Sequence, residues 1–227
     1  KAPRVFFHDA RAGRLLVRVG KAPAGSRFLI SRFDHGVFLE GGRFVVVEGL
    51  TVRHFGGAGV RLSGGATGCV VRHCVIAHCT GGFFLRDEAT RDNVIWHNRI
   101  EETGLEDFTW EAIKESAQGR QGIFCVAGRG TSICHNHLTG WFDAVAVESW
   151  KRPEQLGINR DCDVMFNVME GIGDDAIEAD GGGVNLRIHG NRMRWVHVAI
   201  SLAPIERGPV YVTRNDATFL GLLFKLN

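Results

Sequence analysis

The chain has 227 residues, 44% hydrophobic and 23% charged, with a formal net charge of +2. That is globular composition for one large domain or two small ones, and a charge this near zero selects neither nucleic acid nor an anionic membrane. No apolar run approaches the roughly 18 residues of a membrane-spanning helix, and no basic-then-apolar leader is present. The chain opens at Lys1 rather than methionine, so a leader could have been removed, or the native polypeptide could be longer.

Thirty glycines against five prolines suit many short strands joined by tight turns. Residues 1–26 read as lead-in strands. From residue 27 two strand motifs alternate. The first is HGVFLE (35–40), AGVRLS (58–63), GGFFLR (81–86), QGIFCV (121–126), DAVAVE (143–148), DAIEAD (175–180) and VAISLA (198–203). Its third position reads Val37, Val60, Phe83, Ile123, Val145, Ile177 and Ile200, at spacings of 22 or 23 with two exceptions, 40 and 32. Those two gaps require insertions near 103–120 and 149–161.

The second motif is VVVEGLTV (45–52), CVVRHCVI (69–76), NVIWHNRI (93–100), TSICHNHL (131–138), CDVMFNVM (162–169), LRIHGNRM (186–193) and VYVTRNDA (210–217). Its sixth position reads Leu50, Cys74, Asn98, Asn136, Asn167, Asn191 and Asn215. A short period with several strands per repeat and no helical pattern is a solenoid signature. Leucine-rich repeats would show L-x-x-L-x-L-x-x-N, which is absent. The expected fold is all-β, a parallel β-helix over 27–217 of about 7–8 coils, with 218–227 as a last partial coil. In such a stack each asparagine amide bonds the next, so the buried polar group is paired. Cys74 fills the ladder position in an earlier coil, and Cys125 shares an apolar column with Leu62, Leu85 and Val147. The six cysteines are therefore expected as free buried thiols. His73, His97 and His135 form an outward column that reads as a surface stripe.

GDDAIEAD (173–180) crowds Asp174, Asp175, Glu178 and Asp180 into one strand. Register places Asp175 on Asp143, Glu178 beside Ala146, Asp180 beside Glu148 and His197 on Asp174. Like charges on adjacent rungs repel. Such a cluster persists with a bound cation, with a retained proton, or on a wet rim.

On its asparagine ladder, the chain resembles the right-handed parallel β-helices of the pectin-lyase-like superfamily, and the right hand is carried over from that resemblance. In that superfamily the ladder asparagine follows the second strand of each coil. DAIEAD then belongs to the first strand, PB1, whose outer face carries the active sites. The acids resemble those of the polygalacturonases, glycoside hydrolase family 28. That resemblance implies carboxylate acid–base hydrolysis by Asp143, Asp174 and Asp175, with His197 supporting and no cofactor. The set is similar too to polysaccharide lyase family 9, which implies calcium held by Asp143, Asp174, Asp175 and Glu178 and elimination from a uronate. The base would then come from Lys114, Lys151 or Arg152 in the insertions, or from Lys225. Hydrolysis is the expected reaction, because its set of residues is complete; the calcium-dependent lyase and a non-catalytic, glycan-binding adhesin are the alternatives.

Trp110, Trp141 and Trp150 are candidate stacking platforms for sugar rings, with Lys114, Glu148 and Lys151 as further substrate contacts. Trp195 also precedes a PB1 strand. The expected partner is a polysaccharide, without nucleic acid or membrane insertion. An oligomer or further domains could cover the open coil ends. The expected location is secreted, periplasmic or cell-surface.

Overall fold

The computed structural model describes residues 5–9, 11–12, 14–18, 31–103, 109–114, 120–126, 128–149 and 157–226. The chain forms two compact units, Lys1–Ile30 and Ser31–Asn227. In the first, Val5–Asp9 and Arg14–Arg18 pair as an antiparallel hairpin.

The second unit is a parallel β-helix of about seven turns. Its back sheet stacks Val46–Glu48, Val70–Arg72, Val94–Trp96, Ser132–Cys134, Asp163–Met165, Leu186–His189 and Val210–Thr213 in that order. Its front sheet stacks Val37–Glu40, Ala58–Ser63, Gly81–Arg86, Gln121–Val126 and Asp143–Ala146. The long strands Val168–Glu178, Arg192–Ser201 and Asp216–Lys225 continue the front sheet and also close the third side of the coil.

The expected register is observed. Val37, Val60, Phe83, Ile123, Val145, Ile177 and Ile200 lie one above another. Val60, Phe83, Ile123, Val145 and Ile177 lose all contact with solvent. Burying a side chain of this size stabilises by about 1.5–3 kcal/mol, so one such column per coil side sustains a core only one coil wide.

The asparagine ladder is continuous. The Asn98 amide donates to Asn136 Oδ1 at 3.0 Å, Asn136 to Asn167 at 3.0 Å, Asn167 to Asn191 at 3.1 Å and Asn191 to Asn215 at 2.9 Å. Each Nδ2 also donates to a backbone carbonyl one coil back: Val71, Ile95, Ile133, Val164 and Ile188 in turn. At the Cys74 rung the Asn98 Oδ1 accepts the Cys74 N–H instead, at 3.0 Å. All six cysteines are free and buried. Asn93 and Asn159 make a comparable set of bonds at another corner. The two lie in different columns, and the sequence hid them because Cys69 and Thr131 flank Asn93 while Gly128 and Gly183 flank Asn159.

The residue before each ladder rung turns the corner in the left-handed region. Gly49, His73, His97, His135, Phe166, Gly190 and Arg214 have φ between 51° and 69°. A non-glycine residue pays steric strain there. Ring stacking offsets it: His73 to His97 at 5.5 Å, His97 to His135 at 5.1 Å and His135 to Phe166 at 5.3 Å. The histidine stripe is thus a corner stack. Burial, then the charges of His135 and His73, lower the pKa of His97.

Asn136→Ala removes four hydrogen bonds. It leaves the Asn98 backbone N–H without that acceptor and Ile95 O without that donor, while Asn167 Oδ1 keeps only the residue-136 N–H and Asn98 Nδ2 only Val71 O. The expected loss is on the order of 3 kcal/mol. It is read as a lower urea midpoint with an unchanged slope.

Candidate active site on the front sheet

Neighbouring residues of a strand point to opposite faces, so Asp174 and Asp175 in a regular strand would diverge. They do not, because Val168–Glu178 contains a bulge. Ile172 pairs with Val196 but Asp175 pairs with Val198, leaving Gly173 and Asp174 opposite His197 alone. Bulges re-aim side chains in this way. The bulge brings Asp174 and Asp175 together with Asp143 on the adjacent coil. One carboxylate oxygen from each of the three lies within 4.8 Å of the others. The Asp175 N–H donates to Asp143 Oδ1 at 3.2 Å.

All three are buried, as are Glu148 and Asp180. Burial first, then the charge of Glu178, raises the pKa of Asp143 well above the carboxylate range. Burial and then the Asp174 charge lift Asp175 to about 6, with Lys225 offsetting part of the rise. Burial and the Glu148 charge lift Glu178 to about 9. Glu148 is lifted to about 7 by burial, against its hydrogen bond with Glu178. Glu178 bonds Glu148, and the close group of carboxylate oxygens comprises Asp143, Asp174 and Asp175 without it. Asp180 is held structurally, accepting Ser201 Oγ at 2.6 Å and Ala203 N–H at 2.8 Å.

Two lysines reach the cluster from opposite directions. Helix α1 (Trp110–Lys114), in the first insertion, delivers Lys114 Nζ to Asp174 Oδ2 at 2.6 Å. Burial opposes the Lys114 charge. The Asp174 hydrogen bond and the charges of Asp174, Asp143 and Glu178 outweigh it and raise the pKa above the ordinary lysine value. Lys225 Nζ, from the last coil, stands 3.4 Å from Asp175 Oδ2. Among the described residues, buried Asp175 Oδ1 has no hydrogen-bond partner.

Trp110 packs on Phe142 with ring centroids 5.9 Å apart, and Lys114 Nζ lies 5.5 Å from each ring. Trp110 is 42% exposed, so an indole does flank the acids. Phe142, which sequence reasoning passed over, forms the base of this corner. Its signal was its place directly before Asp143. Trp141 requires a correction. It is 1% exposed and its Nε1 donates to Ile100 O at 3.0 Å, so it packs in the coil and offers a sugar no surface. His197 is exposed and forms no hydrogen bond or ion pair with the acids; Lys114 takes the Asp174 carboxylate instead. Trp195 is exposed and stacks on Phe219 at 5.7 Å. Trp150, Lys151 and Arg152 lie outside the described residues.

A parallel coil bearing a buried acid cluster on its front sheet defines a β-solenoid with a candidate site on PB1. The chain belongs to the right-handed β-helix family: the family model described as the right handed beta helix region matches residues 24–139. No curated protein matches the sequence. Among solved structures, the chain is similar to an alginate lyase from Paenibacillus sp. str. FPU-7, with a TM-score of 0.56 and 15% identity over 87% of this chain and 76% of that one. It is also similar to PfbA, a surface adhesin of Streptococcus pneumoniae, with a TM-score of 0.54 and 13% identity over 83% of this chain. The match spans 59% of the adhesin chain. At such identities the likeness is one of fold. No helix among the described residues is long and apolar enough to cross a membrane.

Asp143, Glu148, Asp175 and Glu178 all bind protons more tightly folded than unfolded. Above about pH 4 the folded state holds the extra protons, so stability falls as pH rises through the folded pKa values. Urea midpoints in EDTA are expected to drop from about pH 5 to about pH 9, with the decline flatter in Glu178→Gln.

Proposed function

We propose that the protein cleaves a glycosidic bond of an acidic polysaccharide at this cluster by β-elimination. The observation that carries the reading is the spacing of the aspartates, within 4.8 Å of one another. Three carboxylate oxygens this close repel unless a cation or a proton sits among them, and hard oxygen donors suit calcium. The unpartnered, buried Asp175 Oδ1 fits the same ligand. Asp143, Asp174 and Asp175 would hold the ion, which would neutralise a uronate carboxylate and acidify the proton on the carbon beside it.

Lys114 is the base. Its pKa is held up by the very acids a cation would neutralise, so its amine is freed when that field reverses. Nζ takes the proton from the carbon beside the carboxylate. The electron pair forms the carbon–carbon double bond as the bond to the leaving oxygen breaks. Glu178, protonated at neutral pH by burial and by the Glu148 charge, returns a proton to that oxygen. Trp110 supports the sugar ring from the α1 side. The protein acts where such polysaccharides occur, secreted, periplasmic or at the cell surface.

Hydrolysis is the second reading, and the raised pKa values of Asp143 and Glu178 favour it: a loaded carboxyl beside ionised ones is what acid–base cleavage needs. A panel of uronate and neutral polysaccharides, digested with calcium or with EDTA, separates the readings. Ultraviolet absorbance of an unsaturated product, abolished by EDTA, is the expected result. Lys114→Ala should lower that rate about 10²–10⁴-fold while leaving the melting temperature near wild type. Reducing ends without absorbance, insensitive to EDTA, would establish the hydrolase. No cleavage, with glycan binding that survives Asp174→Ala and Asp175→Ala, would leave an adhesin.

A further inference from the structure

On the same front sheet, towards the N-terminal coils, lies a cavity of ≈ 520 Å³ lined by His35, Arg61, Phe84, Arg86, Gln121 and Phe124 among others. Register ties it to the acids. Gln121 pairs with Asp143 and Phe124 with Ala146, while Phe84 pairs with Phe124 and Arg61 with Phe84. Arg61 is therefore three rungs from the Asp143 coil, about 14 Å at strand spacing, and Arg86 two rungs, about 10 Å.

Donors outnumber acceptors here. Neither arginine forms an ion pair among the described residues. Arg61 Nε is buried with no hydrogen-bond partner, while its guanidinium is held 5.2 Å from the Phe38 ring. His35 Nδ1 lies 3.1 Å from the Ala58 N–H and its Nε2 lies 3.0 Å from Arg61 Nη1. A neutral imidazole has one acceptor nitrogen, so one of these two donors is left over, and an anion here would accept from it and from Arg61 Nε. Asp34 shares the lining but pairs with neither arginine. Between these donors and the carboxylates, Phe84 and Phe124 pack edge to face at 5.9 Å and present an apolar floor, the kind of surface on which a sugar ring rests.

We propose that this groove is a subsite for negatively charged sugar residues, their carboxylate or sulfate group held by Arg61, Arg86 and His35, so that the glycan chain runs along the solenoid axis towards Asp143. That the bound chain is also the substrate rests on the function proposed above. Opposite charge at the two ends of one groove fixes direction: the cluster repels an anion unless a cation covers it, while the arginines attract one regardless.

The test is calorimetric binding to the full chain carrying Lys114→Ala, in EDTA so that no cation bridges at the acids. The probes are an oligouronate, a sulfated oligosaccharide and a neutral oligosaccharide of equal length. Binding of a charged probe, weakening with salt, is expected, with the neutral probe roughly tenfold weaker or more. Whether the uronate or the sulfated probe binds identifies the anion. Adding Arg61→Gln and Arg86→Gln should cost the charged probe roughly tenfold or more and leave the neutral one unchanged. Arg86 is exposed and its side chain forms no ion pair among the described residues, so Arg86→Gln alone keeps the test valid where the double variant fails to fold; it should cost several-fold. Equal binding of neutral and charged probes, no binding of either charged probe, or no effect of Arg86→Gln would overturn the subsite. If arginine variants lose binding while Lys114→Ala cleaves like wild type, the elimination mechanism fails and the subsite stands. If Lys114→Ala is inactive and the arginine variants bind normally, the reverse holds.

Discussion

The coil rests on one constraint: each residue of the stack must tolerate the residue one rung above and below it at strand spacing. For apolar side chains that is easy, and the columns from Val37 to Ile200 simply close. For a buried amide it is a gain, because asparagine both donates and accepts and so bonds to a copy of itself. For a carboxylate it is a cost, because like meets like. The solenoid thus sorts its residues by whether they can pair with neighbours in the stack.

The acid cluster is where that sorting is violated. Asp143 and Asp175 occupy adjacent rungs, both buried, one with an unmatched oxygen. Rungs on either side fix the backbone through parallel ladders, so the local repulsion cannot relax by moving a strand. Burial first, and that repulsion second, raise the pKa values of Asp175 and Glu178, and two lysines lie against the acids. The fold holds together groups that would separate if free, and the proposed function rests on that arrangement.

The front sheet then reads as a gradient. Arginines with unmatched donors stand at one end, aromatic rings in the middle, and carboxylates with unmatched acceptors at the other. A linear chain of sugars, apolar on its ring faces and charged at intervals, complements that order. The corner stack of His73, His97 and His135 lies at another corner of the coil and serves packing.

The sequence by itself determined the coil, the ladder and most of the register. A repeat of strands can close in few ways, and Asn98 to Asn215 mark one corner five times. It also placed Asp175 on Asp143 and Asp180 beside Glu148, since neighbouring rungs copy sequence offsets. Three things were decided only in three dimensions. The bulge at Gly173–Asp174 turned both aspartates to one side, and no residue pattern announces a one-residue slip. The insertion that carries α1 has no repeat to align, so the arrival of Lys114 at Asp174, where His197 was expected, depended on how that loop folds back. Trp141 was read as a surface indole from its neighbours, yet the side-chain-free Gly122 left room beneath it and Ile100 O supplied its acceptor. Periodicity fixes what repeats; the departures from it, where the chemistry gathers, are fixed by contacts between residues far apart in the chain.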